Sequence, residues 1–179
     1  GVALIGTSTG KLASVTFGLP AAMKHVTGRV VRYLTRGMRG RPQLFEGGRR
    51  LGTDLAFVAT RRAAFGVEDV SPSLVEFVEK MTADTPVDVI AEFYDTFMSH
   101  DKLEALAVLR DVETLVLIGS KDVITPLAHS RTIAAALPDA QLVVVEGAGH
   151  MVQLEKAAMV TLHLRALLRR ASRSAARAG

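Results

Sequence analysis

The sequence predicts an α/β protein built on a small parallel sheet, and three observations carry that prediction. Short continuous apolar runs at 2–5 (VALI), 115–118 (LVLI) and 142–145 (LVVV) each lie close to a glycine-containing loop. Runs of this kind fit strands buried on both faces, as in parallel sheets. The last two alternate with helical stretches in the order strand, helix, strand, helix, which requires crossover helices. A long stretch of helical spacing separates the first run from the other two.

The elements follow in order. Residues 2–5 form the first strand, and GTSTG (6–10) is a loop of small residues. From 11 to about 110 the spacing is helical and no second strand pattern stands out. Ser71-Pro72 sets a capping residue before a proline suited to the first helical position. Leu74, Val75, Phe77, Val78 and Met81 then share a face. Thr85-Pro86 repeats the device ahead of Val89, Ile90, Phe93, Tyr94 and Phe97. Residues 103–109 make a third apolar stretch, and the Arg- and Gly-rich segment 28–50 reads as helix with loops. After the second strand, Thr125-Pro126 caps a helix running to about Leu137, and Pro138-Asp139 turns the chain into the third strand. A final helix is expected from about Leu154 to Arg170. The organisation is therefore a core strand and loop (1–10), a helical insertion (11–110), the remaining core (111–170) and a basic disordered tail (171–179).

Composition narrows the function classes. The chain has 179 residues, 49% hydrophobic and 22% charged, ordinary for a globular protein with a real core. There is no cysteine, so disulfide and thiolate chemistry are excluded. The net charge of +4 equals the four arginines Arg169, Arg170, Arg173 and Arg177 at the end of the chain. The body is neutral and has no basic stripe with interleaved aromatics, which argues against nucleic-acid binding. No apolar run of about 18 residues suggests a transmembrane helix, and no signal-peptide pattern opens the sequence. Gly1 leads straight into a strand pattern, so the chain is expected to be a piece of a longer protein, and the cytoplasm is the expected compartment.

Chemistry concentrates on Asp122 and His150. Both follow the carboxyl ends of predicted strands, 28 positions apart with one helix between them. In parallel sheets the loops at those ends carry the reactive groups. A carboxylate on one ring nitrogen fixes a histidine's tautomer and stabilises the imidazolium formed when the other nitrogen takes a proton. The glycines before His150 let the backbone turn tightly. His25, His100, His129 and His163 lie in helical stretches and read as exposed or packed helix residues. No pair of them has zinc-site spacing, and nothing suggests an organic cofactor.

The segments LVLIGSKDVITP and LVVVEGAGHMVQLE resemble the last two strands of an α/β-hydrolase. The resemblance implies a triad acid at Asp122 and a triad base at His150. It also implies a partial α/β-hydrolase fold: the last parallel strands with their crossover helices, and a helical lid at about 12–110. The motif match covers residues 115–165, whereas the lid match rests on position and helicity.

GTSTG fits G-x-S-x-G, the strand-to-helix turn that exposes a nucleophilic serine. After that turn the family has a helix and another parallel strand before its lid. Here no buried-strand run follows Gly10, since Val30-Val31 is short and hemmed by arginines. Residues 2–5 resemble instead the strand just before the lid, which would leave this chain without its nucleophile. The resemblance then implies a serine-type hydrolase, esterase- or lipase-like, acting on a small and apolar acyl ester. Phe77, Met81, Phe93, Tyr94, Phe97 and Met98 are candidates for lining its pocket or packing the lid. Two alternatives stand beside this reading: a complete small hydrolase with Ser8 as nucleophile, and a non-catalytic fragment or interaction protein.

Overall fold

The computed structural model describes residues 1–10, 37, 40, 53–67 and 69–178; side chains are not described at 53–56, Val87, Ile90, Tyr94, Asp95 and Ala178. At its centre lies strand β2 (Thr114–Gly119), flanked by β1 (Val2–Ile5) and β3 (Gln141–Val145). Both pairings are parallel, with Val2 opposite Thr114 and Leu115 opposite Gln141. The three apolar runs of the sequence are thus the three strands.

β2 is uninterruptedly apolar because both of its faces are covered. Leu115 and Leu117 pack with Val145, Ala148, Val152, Val160 and Leu167, the last two on the terminal helix. Val116 points the other way, into Ile133 and Leu137. That second face is covered by helix α4 (Leu127–Ala136) and the 3₁₀ helix Glu104–Leu109, with Leu106 and Leu109 packed against the cluster. Alternate residues of one strand therefore feed two cores, as period-two side-chain geometry dictates.

Between β1 and the 3₁₀ helix the described residues include the helices α1 (Thr53–Ala64), α2 (Pro72–Ala83) and α3 (Val87–Ser99). Val75 and Val78 of α2 meet Ala64 and Phe65 at the end of α1, and Met151 and Leu154 close that cluster from below. The helical layer is thus seated on the loop that follows β3. The segment 11–36, His25 and most of 28–50 lie outside the described residues.

Local details differ from the sequence expectations. Ser71 sits at the N-cap of α2 with Pro72 at its first turn, but its hydroxyl bonds Ser73 rather than a backbone N–H. At α3 and α4 the prolines Pro86 and Pro126 are themselves the cap residues, so the helices start one residue later than the threonine would place them. The final helix is split into α5 (Val152–Glu155) and α6 (Ala157–Ala178). The expected disordered tail at 171–179 is corrected: α6 continues to Ala178. Alanine and arginine are strong helix formers, and Arg170 and Ser174 bond Glu113 at 3.1 and 2.9 Å.

Candidate active site

Asp122 and His150 come together at the carboxyl edge of the sheet. β2 ends at Gly119, and a tight turn brings the Asp122 N–H back to the Gly119 carbonyl at 3.2 Å. β3 ends at Val145, and the chain turns through Gly147, whose φ of +75° suits glycine. His150 Nδ1 lies 2.9 Å from Asp122 Oδ2. The ring rests over the end of β1, since a β-carbon on Gly6 would sit 3.5 Å from its Cε1 and Nδ1. All three strands thus contribute to the position of one imidazole.

The carboxylate is fully buried, whereas the histidine side chain is 21% exposed. Asp122 has every oxygen engaged. Oδ1 accepts the N–H groups of Ile124 (2.9 Å) and Thr125 (2.8 Å), and Oδ2 accepts the Thr125 hydroxyl (2.9 Å) together with His150. Burial pushes this carboxyl up; the bonds from His150, the Thr125 backbone and the Thr125 hydroxyl outweigh it, and the net effect is a lowered pKa. An ionised carboxylate only accepts, so Nδ1 carries the proton that it shares with Asp122. Nε2 is then the nitrogen left to exchange a proton with a reacting group.

Sequence reasoning missed Thr125 and Ser120. Thr125 reads as a helix cap beside proline, yet its hydroxyl is spent on Asp122 and lies 3.5 Å from His150 Nδ1. The signal was an acceptor side chain three residues before a threonine, a pattern of local side-chain turns. Ser120 braces the His150 loop by accepting the Gly147 N–H at 2.9 Å and donating to Glu146 at 3.1 Å. The Lys121 N–H adds a bond to the Ala148 carbonyl at 2.9 Å.

Ser8 lies elsewhere in the hydrogen-bond network. Its hydroxyl contacts His129 Nδ1 on α4, and it bonds the Gly10 carbonyl (2.8 Å) and N–H (3.0 Å). Among the described residues no hydrogen bond joins Ser8 to His150. His129 is half-buried, and the sequence alone did not pair it with Ser8, 121 positions away. Among the described residues no group of three or more His, Cys, Asp or Glu stands together as a metal site. No described helix is long and apolar enough to cross a membrane.

A family model described as the alpha/beta hydrolase fold matches residues 12–157. The chain belongs to the α/β-hydrolase family. It is 43% identical over 56 residues to proline iminopeptidase PfmaB of Pestalotiopsis fici, a match covering 31% of this chain and 20% of that protein. Among solved structures it resembles a thermophilic esterase from Thermogutta terrifontis with a TM-score of 0.60 and 25% identity, over 78% of this chain and 50% of that one. A bromoperoxidase from Bacillus anthracis gives 0.59 at 18% identity, over 71% and 48%, and shows the shared fold. The chain spans about half the length of these solved structures and a fifth of the curated relative.

Proposed function

We propose that this chain carries the acid and base of a serine-type α/β-hydrolase that cleaves an ester-like bond of a small apolar molecule. The observation behind the reading is the buried, four-times hydrogen-bonded Asp122 carboxylate 2.9 Å from His150 Nδ1, at the ends of two adjacent parallel strands. His150 Nε2 takes the proton of the attacking hydroxyl as that oxygen bonds the acyl carbon, then gives it to the departing oxygen. Asp122 stabilises the imidazolium between those steps. Water repeats the cycle and frees the acid.

In this proposal the nucleophile is supplied by a part of the enzyme other than this chain. Ser8 is committed to Gly10 and His129, which speaks against GTSTG as the working turn. The helices between β1 and β2 are proposed to form the lid. A largely apolar, half-open cavity of about 620 Å³ between α2 and the residues after His150, lined by Phe77, Val78, Met81, Met151 and Leu154 together with Thr82, Thr85 and Gln153, supports an apolar substrate. Phe93 and Phe97 of α3 are exposed and pair with their ring centroids 6.4 Å apart. Met98 is half-buried, and the Tyr94 side chain lies outside those described.

Intact-mass measurement after exposure to a fluorophosphonate, with a thermal melt to show a folded chain, tests this reading. A folded chain free of adduct is the expected result. A stoichiometric adduct on Ser8 would place the nucleophile in GTSTG with His129 beside it, and would overturn the assignment of His150. In a polypeptide joining this chain to the part that supplies the nucleophile, His150→Ala is expected to cost about 10⁴–10⁶-fold in kcat. A non-catalytic interaction protein would lose no turnover on that change.

A further inference from the structure

Glu155 makes three hydrogen bonds that the chemistry above does not use. Its Oε2 accepts the N–H groups of Gly66 and Val67, both at 2.9 Å, and its Oε1 accepts the Gly149 N–H at 2.7 Å. Gly66 and Val67 belong to the segment between α1 and α2, whereas Gly149 immediately precedes His150. The two segments meet backbone to backbone. A β-carbon on Gly149 would lie 2.4 Å from the Gly66 nitrogen, and one on Gly66 would lie 2.5 Å from the Gly149 nitrogen. On the other side of His150, the Met151 N–H donates to the Ala64 carbonyl at 2.8 Å. Both neighbours of His150 are therefore held by residues 64–67, one directly and one through Glu155. Lys121, next to Asp122, donates to the Gly66 carbonyl at 3.3 Å and ties the acid's loop to the same segment.

We propose that Glu155 is a positioning residue: a carboxylate clamp that sets the His150 imidazole against Asp122 by locking its loop to the segment entering α2. This rests on the reading of His150 as the base. A carboxylate suits three converging N–H groups because it accepts at both oxygens and donates at neither, and its charge shortens and strengthens each bond. A glutamine of the same shape offers one accepting oxygen and turns its amide hydrogens toward the remaining donors. Loss of the clamp frees Gly149, and with it the backbone from which the ring reaches Asp122.

The test is NMR on the isotopically labelled chain, comparing the unmodified protein with Glu155→Gln. In the unmodified chain the His150 Nδ1–H resonance is expected to be visible and held by Asp122. In E155Q it is expected to broaden away, while the amides of Gly66, Val67 and Gly149 exchange at least about tenfold faster and those of 115–118 keep their protection. A His150 signal that stays unchanged in folded E155Q, whether or not those amides loosen, overturns the proposal. If E155Q fails to fold, the unmodified chain decides. One clamp predicts that the three amides and the His150 Nδ1–H, each corrected for its intrinsic exchange rate, report a single opening free energy, and unrelated opening free energies overturn it. The readout is a hydrogen bond rather than turnover, so a joined polypeptide whose kcat is unchanged by His150→Ala would sink the catalytic reading and leave this measurement standing.

Discussion

At Asp122 burial disfavours the carboxylate, the bonds from His150 and from the Thr125 N–H and hydroxyl favour it, and the bonds win. The direction has a consequence for stability. A carboxyl whose folded pKa lies below its unfolded value, about 3.9, binds its proton first in the unfolded chain. Its stabilising contribution is complete above about pH 4 and is lost as pH falls through the lower, folded value. Urea titrations across the acid range are expected to show this loss in the unmodified chain and a shallower acid limb in Asp122→Asn. Thr125→Val isolates one of the four bonds, keeping the shape and deleting the hydroxyl. A buried hydrogen bond to a charged group contributes about 1.5–3 kcal/mol, so T125V is expected to unfold at lower urea by that amount at neutral pH. The difference should narrow in acid, where the carboxyl protonates. An equal loss at all pH values would mean that the threonine serves packing rather than the charge.

The elements differ in how much of them a reader of the sequence can recover. β2 was legible because a strand covered on both faces must be apolar throughout, and β3 from its LVVV run although Val144 is exposed, so Asp122 and His150 stand out beyond the ends of such runs. The helices α2 and α3 were legible from proline and one-sided apolar spacing. What stayed hidden depends on partners distant in sequence. Ser8 meets His129 across 121 positions, and Arg170 and Ser174 meet Glu113 across 57 and 61. The tail looked like a solvated run of arginines because nothing local marks Glu113, just before β2, as its anchor. Those bonds hold the Glu113 carboxyl below its ordinary pKa, the Ser174 hydroxyl first and Arg170 second. Glu113→Gln is therefore expected to release the end of α6. Amides at 171–178 should exchange faster and the helical circular-dichroism signal should fall, with the sheet unchanged. Undiminished protection there would show that helix propensity alone carries α6 to Ala178.

Over the molecule as a whole, the three strands among the described residues hold a helical layer on each face, and β2 is the member both layers share. Leu117 is fully buried in the core under α6. Leu117→Ala is expected to cost about 2–5 kcal/mol in a urea or thermal melt. The sheet's edges raise a different demand. Among the described residues β1 pairs only with β2. The N–H groups of Val2 and Gly6 donate to the carbonyls of Glu113 and Leu117. By the two-residue repeat of a ladder, the Ala3 and Ile5 N–H groups face the other way, along an edge that can template further strands. Ala3 is exposed on that strand. A lysine there sets a charge along the edge without touching the bonds to β2, so Ala3→Lys is expected to change the melting free energy by no more than about 0.5 kcal/mol. Static light scattering over a concentration series should show association of the unmodified chain and less of it in A3K. If the two chains associate equally, β1 is not the surface through which they meet. The outer edge of β3, beside the exposed Val144, would then be the next place to set a charge.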